Sequence, residues 1–199
     1  MSLKPNELII TGRLANSSLW TPFKSDLGEK KEAWKADILI DPHTEEGKAT
    51  LKAIEAQIKA ICLEQWKKYP LTWPDPKRLC LRDGNMKVGK DDEIKDGYEG
   101  MKYLTVSRNT VSKKGNLMTP PGVFDRSKNP LPKGSTVPYN GCKVKVHADF
   151  YGTEAGGKGV FAGLISVMHW AEGDPIQGGG GGAPSADAYG ETAEEGEEV

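Results

Sequence analysis

The segment Cys142-Lys-Val-Lys-Val-His-Ala-Asp-Phe-Tyr151 constrains the fold more than any other, because its polarity alternates with a period of two throughout. Successive side chains of an extended strand point to opposite faces of a sheet. Cys142, Val144, Val146, Ala148 and Phe150 therefore form one apolar face, and Lys143, Lys145, His147, Asp149 and Tyr151 form the other. A helix would scatter both sets around its circumference. One buried and one wet face is the mark of an antiparallel sheet.

The same period recurs earlier. Leu8, Ile10 and Leu14 fall on one side of 8–14, and Trp34, Ala36, Ile38 and Ile40 on one side of 33–40. Further strands are expected over 78–82, 98–108 and 159–170, separated by Pro and Gly clusters. In 98–108 the core pair is Leu104 and Val106, which sends Tyr103 and Thr105 outward. One helix interrupts the series. Leu51, Ile54, Ile58, Ile61, Cys62 and Trp66 recur at spacings of three and four, with Asp41 or Thr44 available as cap. Five or six strands around one inserted helix exclude a doubly wound α/β fold and predict a mainly β protein, an OB-like antiparallel barrel.

The charge is unevenly distributed. The chain has 199 residues and a net charge of -1, but residues 173–199 hold seven acids and no Lys or Arg. Residues 1–172 thus carry 27 basic side chains against 28 − 7 = 21 acids. A basic body of this kind is suited to a polyanion. The expected division is an OB domain over 1–172 and a flexible tail over 173–199. Five consecutive glycines, 178–182, act as linker, and the following residues are too acidic and too poor in apolar groups to pack. No run approaches the length of a membrane helix, and MSLKPNELII lacks a secretory pattern, so a cytoplasmic protein is expected. Cys62, Cys80 and Cys142 are isolated from one another in sequence and read as buried small hydrophobes.

The predicted open face gathers Arg13, Lys35, Tyr103, Lys143, Lys145, His147 and Tyr151. The 12–34 region, read as a loop between strands, adds Trp20, Phe23 and Lys24, with Lys30 and Lys31. Cations can follow phosphates, and flat rings accept unstacked bases at about 1–3 kcal/mol each. Arg13, Trp20, Phe23, Lys24, Lys35, Tyr103, Lys143, Lys145 and Tyr151 are accordingly the candidate single-stranded DNA-binding residues. There is no helix-turn-helix, zinc-finger spacing or basic helix for duplex recognition. Gly152-Thr-Glu-Ala-Gly-Gly-Lys158 matches the outline of a phosphate loop, but Gly159 replaces its hydroxyl residue and a β-rich segment follows, so a hairpin turn is expected. Asp91, Asp92, Glu93 and Asp96 read as a solvated loop, and the three histidines are scattered. No catalytic residue, metal site or cofactor is indicated.

Several segments, in this order, carry a family resemblance: GRLANSSLWTPF, WKADILIDP with LKAIEAQI, LCLRDGN, GYEGMKYLTVSRN, PPGVFD, YNGCKVKVHADFY and KGVFAGLISVMHWAEGDPI. Over roughly 8–175 the chain resembles bacteriophage single-stranded DNA-binding proteins of the DUF2815 type. The resemblance implies an OB barrel and binding without sequence specificity during phage replication, recombination or repair. Trp20 and the long 109–141 segment do not map onto the family pattern. The tail acids Glu191, Glu194, Glu195, Glu197 and Glu198 are expected to compete for the basic face and to recruit replication or recombination proteins. Strand-edge pairing into a homodimer is compatible with the barrel, although no residue pattern demands it. An RNA-binding OB module and a phage structural or assembly protein are the alternative readings. A nuclease built on the scattered acids is a poor fit.

Overall fold

The computed structural model describes residues 3–24, 32–67 and 76–176. Its strands are β1 (Glu7–Lys24), β2 (Glu32–Ile40), β3 (Leu81–Asp83), β4 (Lys102–Asn109), β5 (Gly122–Phe124), β6 (Lys143–Thr153) and β7 (Gly159–Ala171), with helix α1 (Glu45–Trp66) between β2 and β3. Five of them close a barrel in the order β4-β2-β1-β6-β7, sealed by a parallel pairing of Val106 with Ala162 and Ser107 with Gly163. The other pairings within the barrel are antiparallel. β3 extends the β4 edge, and β5 lies parallel to β7. This is the expected mainly β, OB-type barrel with one inserted helix.

The alternating residues build its interior. Ile10, Leu14, Trp34, Ala36, Ile38, Ile40, Leu104, Val106 and the apolar face of β6 all belong to one buried cluster. Ile54, Ile58, Ile61 and Cys62 of α1 join it, with Leu51 and Trp66 packed alongside. The helix starts where Thr44 Oγ1 accepts from the Gly47 amide at 3.0 Å, satisfying one of the unpaired donors of its first turn. It ends at Lys67, whose left-handed conformation lets its amide reach the Leu63 carbonyl. All three cysteines are free and buried.

β1 serves both sides of the barrel. Residues 7–13 pair with β6, and residues from Arg13 to Lys24 pair with β2. Irregularities between Ala15 and Ser18 and between Ser18 and Phe23 bend it, with Asn16 at φ 45°. The region read as a loop from residue 12 onward is therefore largely strand. Trp20 packs against the core cluster and does not stand free. The short β5 was not expected from sequence.

A second buried cluster lies outside the barrel wall, formed by Ala15, Leu39, Tyr98, Tyr103 and Ile176. Gly97, at φ 80°, leaves the space that Ile176 fills: Cδ1 lies 2.8 Å from where a Cβ would stand. The Ile176 amide donates to the Asn140 carbonyl, and Arg13 donates to the carbonyls of Gly141 and Asp174. Residues 173–176, assigned to the tail from sequence, are thus seated on the barrel. The rest of that tail, with Glu191, Glu194, Glu195, Glu197 and Glu198, lies outside the described residues.

Candidate nucleic-acid interface

The nine candidate residues do not share one face. Closing the sheet turns the outward sides of β2 and β6 in different directions, and the register on β1 separates them further. Lys35 pairs opposite Ser18, whereas Lys145 pairs opposite Thr11.

Phe23, Lys24 and Lys35 gather at the β1–β2 end. Phe23 keeps 48% of its surface exposed, and Lys35 Nζ sits 3.3 Å from its ring centroid. Lys24 makes an exposed ion pair with Glu32 at 3.1 Å, which is too weakly held to withdraw it from a ligand. Burial lowers the Lys35 pKa; Asp37 opposes this, and Lys87 and Lys95 add to it. Three lysines thus act on one another beside an exposed ring. Lys30 and Lys31 lie outside the described residues.

Next to Lys35, the same outward row of β2 carries Asp37, only 2% exposed. Tyr98 Oη and Thr105 Oγ1 each donate to it at 2.7 Å, and Lys87 Nζ approaches to 3.0 Å. A buried carboxylate needs such partners, since an unpaired charge would be strongly destabilising. Burial pushes the Tyr98 phenol well above its ordinary pKa, and the Asp37 charge pushes it further. The segment 84–98 is held over β2 and β4 by this node. Tyr103 does point outward, as its parity predicts, but this segment covers it to 3% exposure. Its ring meets Tyr98 edge-on at 5.3 Å, and Lys87 stands 5.0 Å from it. Tyr103 as placed here is not open to a base.

The remaining candidates fall elsewhere. Arg13 is committed to two backbone carbonyls, as described above. Lys143 pairs with Glu46 in the first turn of α1 at 3.0 Å. Tyr151 lies at the β6–β7 hairpin end, 6.2 Å from Phe161 in a tilted arrangement, while Arg78 flanks Phe161 at 5.2 Å. Burial raises its phenol pKa. His147 sits beside the Glu7 carboxylate at 3.1 Å. Lys145 stands over the ring of Trp170 at 3.4 Å. The Gly152–Lys158 stretch forms the β6–β7 hairpin turn and the end of β6 leading into it, in keeping with a turn reading.

Lys87, Lys95, Trp170 and Arg126 were missed from sequence. The lysines belong to a stretch that reads as solvated loop, and only its packing on Asp37 gives it a role. The 88–94 stretch is a small hairpin, with Val88 bridged to Ile94, and Asp91, Asp92 and Glu93 fall within it. Among the described residues, no group of three or more His, Cys, Asp or Glu could hold a metal ion. Likewise, no helix there is long and apolar enough to cross a membrane.

Comparison with known proteins follows the same line. The family described as Enterobacter phage Enc34, ssDNA-binding protein, matches residues 7–199. Protein p50 of Acyrthosiphon pisum secondary endosymbiont phage 1 is 33% identical over 186 residues, covering 90% of this chain and 89% of that relative. The single-stranded DNA-binding protein of bacteriophage Enc34 in complex with ssDNA is similar in structure, with a TM-score of 0.66 at 20% identity over 88% of this chain and 91% of that one. A second structure of the bacteriophage Enc34 protein gives a TM-score of 0.65 at 21% identity, over 94% of this chain and 91% of that one. At these identities the structural likeness establishes the fold alone. The expected resemblance to phage single-stranded DNA-binding proteins holds, under the Enc34 description where the DUF2815 type was anticipated. The match spans nearly the whole described barrel, and the chain belongs to the family of the Enterobacter phage Enc34 ssDNA-binding protein, a family of binding proteins and not of enzymes.

Proposed function

We propose that this protein binds single-stranded DNA without regard to sequence, in phage DNA replication, recombination or repair. The observation that carries the reading to a place on the molecule is Phe23, an exposed ring with the Lys35 ammonium 3.3 Å from its centroid. A base stacks on the open part of that ring while Lys35, Lys24 and Lys95 take neighbouring phosphates. Stacking does not depend on base identity, and phosphate contacts carry no sequence information. The outward side of the second and third barrel strands, here β2 and β4, is also the side that OB barrels use for oligonucleotides.

Fluorescence titration with dT, dA and duplex oligonucleotides at two salt concentrations tests the reading. Tight, salt-sensitive binding to both single strands and weak binding to duplex is expected. No binding to any strand, even after tail removal, would reject it in favour of a structural or assembly role.

The acidic tail acts as a tethered competitor and, once displaced, as a recruiting element for replication or recombination proteins. Support comes from its point of attachment. Ile176 is seated in the cluster of Tyr98 and Tyr103, beside which Lys87 stands. A short flexible tether gives effective concentrations in roughly the millimolar range. Deleting 177–199 is expected to tighten ssDNA binding, most at low salt; unchanged affinity would remove the competitor role.

A further inference from the structure

The opposite flank of the barrel carries a second cationic ring that the Phe23 face does not use. Two interruptions of alternation in β7 create it. Opposite β6, His147 pairs with Ser166 and Ala148 with Leu164, so Ile165 is an extra residue. Val144 then pairs with His169 and Lys143 with Ala171, which leaves Trp170 as another. Such a bulge re-aims a side chain and is common beside functional sites. Here the bulged residue is an indole. Lys145 Nζ stands 3.4 Å from its ring centroid and the Arg126 guanidinium 4.7 Å from it. These distances bring two like charges within about 8 Å of each other, where they repel. Neither makes an ion pair with an acid among the described residues. The nearby carboxylates are otherwise engaged: Glu46 with Lys143, and Asp125 with the amide and side chain of Asn129. Glu172 accepts from the Tyr139 hydroxyl at 2.7 Å.

Two cations with no acid partner among the described residues, fixed on one aromatic ring, are complementary to an anionic chain that also carries flat groups. We infer that Trp170, Lys145 and Arg126 form a second contact for the same DNA strand. The inference rests on the ssDNA reading above. Lys145 and Arg126 take adjacent phosphates, and Trp170 holds them in place and offers its edge or face to a base. β1 lies between the two flanks, because it pairs with β2 along one part and with β6 along the other. A strand long enough to cross β1 engages both contacts, whereas a short one is satisfied at Phe23.

The test compares the full-length wild type with the double variant Lys145→Gln/Arg126→Gln, using fluorescein-labelled dT oligonucleotides of roughly 8 and 30 nucleotides, one within and one beyond the ~4–16 nucleotides of a single OB-domain site. For the long oligonucleotide, the double variant is expected to bind about tenfold more weakly. Its log–log salt slope should fall by about 1.4, as loss of two single-strand phosphate contacts requires. Affinity for the short one stays within about twofold of wild type, since a site satisfied at Phe23 leaves these cations unused. A charge-retaining variant, Lys145→Arg/Arg126→Lys, restores the slope, and an unchanged melting temperature in the Gln variant separates the role from a mere staple for the loop after β5. An unaltered long-strand affinity and slope in a protein whose wild type binds would overturn this contact alone. Failure of the wild type to bind any single strand would overturn the ssDNA reading, and this contact with it.

Discussion

On the outer side of β2, Lys35 is followed two residues later by Asp37; on the outer side of β6, Lys143 is followed by Lys145 and His147. In the fold the first row is partly roofed. Asp37 draws in Lys87, Tyr98 and Thr105, and the segment 84–98 settles over β2 and β4, leaving Lys35 and Phe23 at its margin. Among the described residues the second row has no roof of this kind: Lys145 shares the Trp170 ring with Arg126, and neither of these two pairs with an acid. Asp37 thus gathers the first row into one structural node, whereas in the second Lys143 and His147 each have their own carboxylate, Glu46 and Glu7, and Lys145 rests on Trp170. In the proposed reading the first row combines stability with a ligand site. In the second, Lys145 alone has no acid partner among the described residues.

The largest expected effect probes that difference directly. Asp37→Ala breaks a buried, multiply hydrogen-bonded charge and is expected to cost about 3 kcal/mol. For a chain of this size that lowers the melting temperature by roughly 6–12 °C. Lys145→Ala removes only a partly exposed cation–π contact and should cost about 1 kcal/mol or less. Equal losses in thermal unfolding would dissolve the contrast between the two rows.

Next comes the exposed ring. Phe23→Ala is expected to weaken single-strand binding by about 1–3 kcal/mol, roughly 5- to 150-fold. Tyr103→Leu, which removes the ring but keeps an apolar side chain in the covered cluster, should leave affinity unchanged in an anisotropy titration. A loss at Tyr103 comparable to that at Phe23 would mean that the 84–98 segment opens on binding.

A pH titration sharpens the role of Lys35. Its pKa is lowered by burial, with Asp37 opposing and Lys87 and Lys95 adding. The ammonium form is therefore lost as pH rises through a value below the ordinary lysine pKa of about 10.4. Affinity should begin to fall on the alkaline side earlier than an ordinary lysine allows. Lys35→Arg, charged across that range, abolishes the early decline. An identical alkaline limb in both proteins would remove Lys35 from the contact.

The smallest effects concern the shared core under both rows. Burial raises the thiol pKa values of Cys62 and Cys142 to about 11 and that of Cys80 to about 12. At pH 8 almost no thiolate forms, so a disulfide reagent should react slowly with the native protein and rapidly with all three thiols after denaturation. Fast reaction of one native thiol would locate an opening of the barrel.

The barrel was legible because its strands alternate cleanly. Ile10 and Leu14, Trp34 to Ile40, and Val144 to Phe150 reach the core on the side their parity predicts. The site was less legible, for three physical reasons. Parity gives the side of a strand but not what lies on it, so Tyr103 pointed outward and was still covered. Closing a sheet separates outward rows, so residues that share a parity on β2 and β6 do not share a surface. Bulges leave little trace in sequence, which hid Trp170, and Arg126 reaches that ring from a turn with no pattern of its own. The seating of Ile176 depends on the space left by a distant glycine, Gly97, and composition alone placed it in the tail.

The central claim is that a short single strand is held at the β1–β2 end, by Phe23 and Lys35. Anisotropy titration of a labelled dT oligonucleotide of roughly 8 nucleotides against the wild type and Phe23→Ala/Lys35→Ala measures it most directly. The account predicts tight, salt-sensitive binding by the wild type and a loss of at least about tenfold in the double variant, with circular dichroism unchanged. Equal affinity of the two proteins for that oligonucleotide would contradict it.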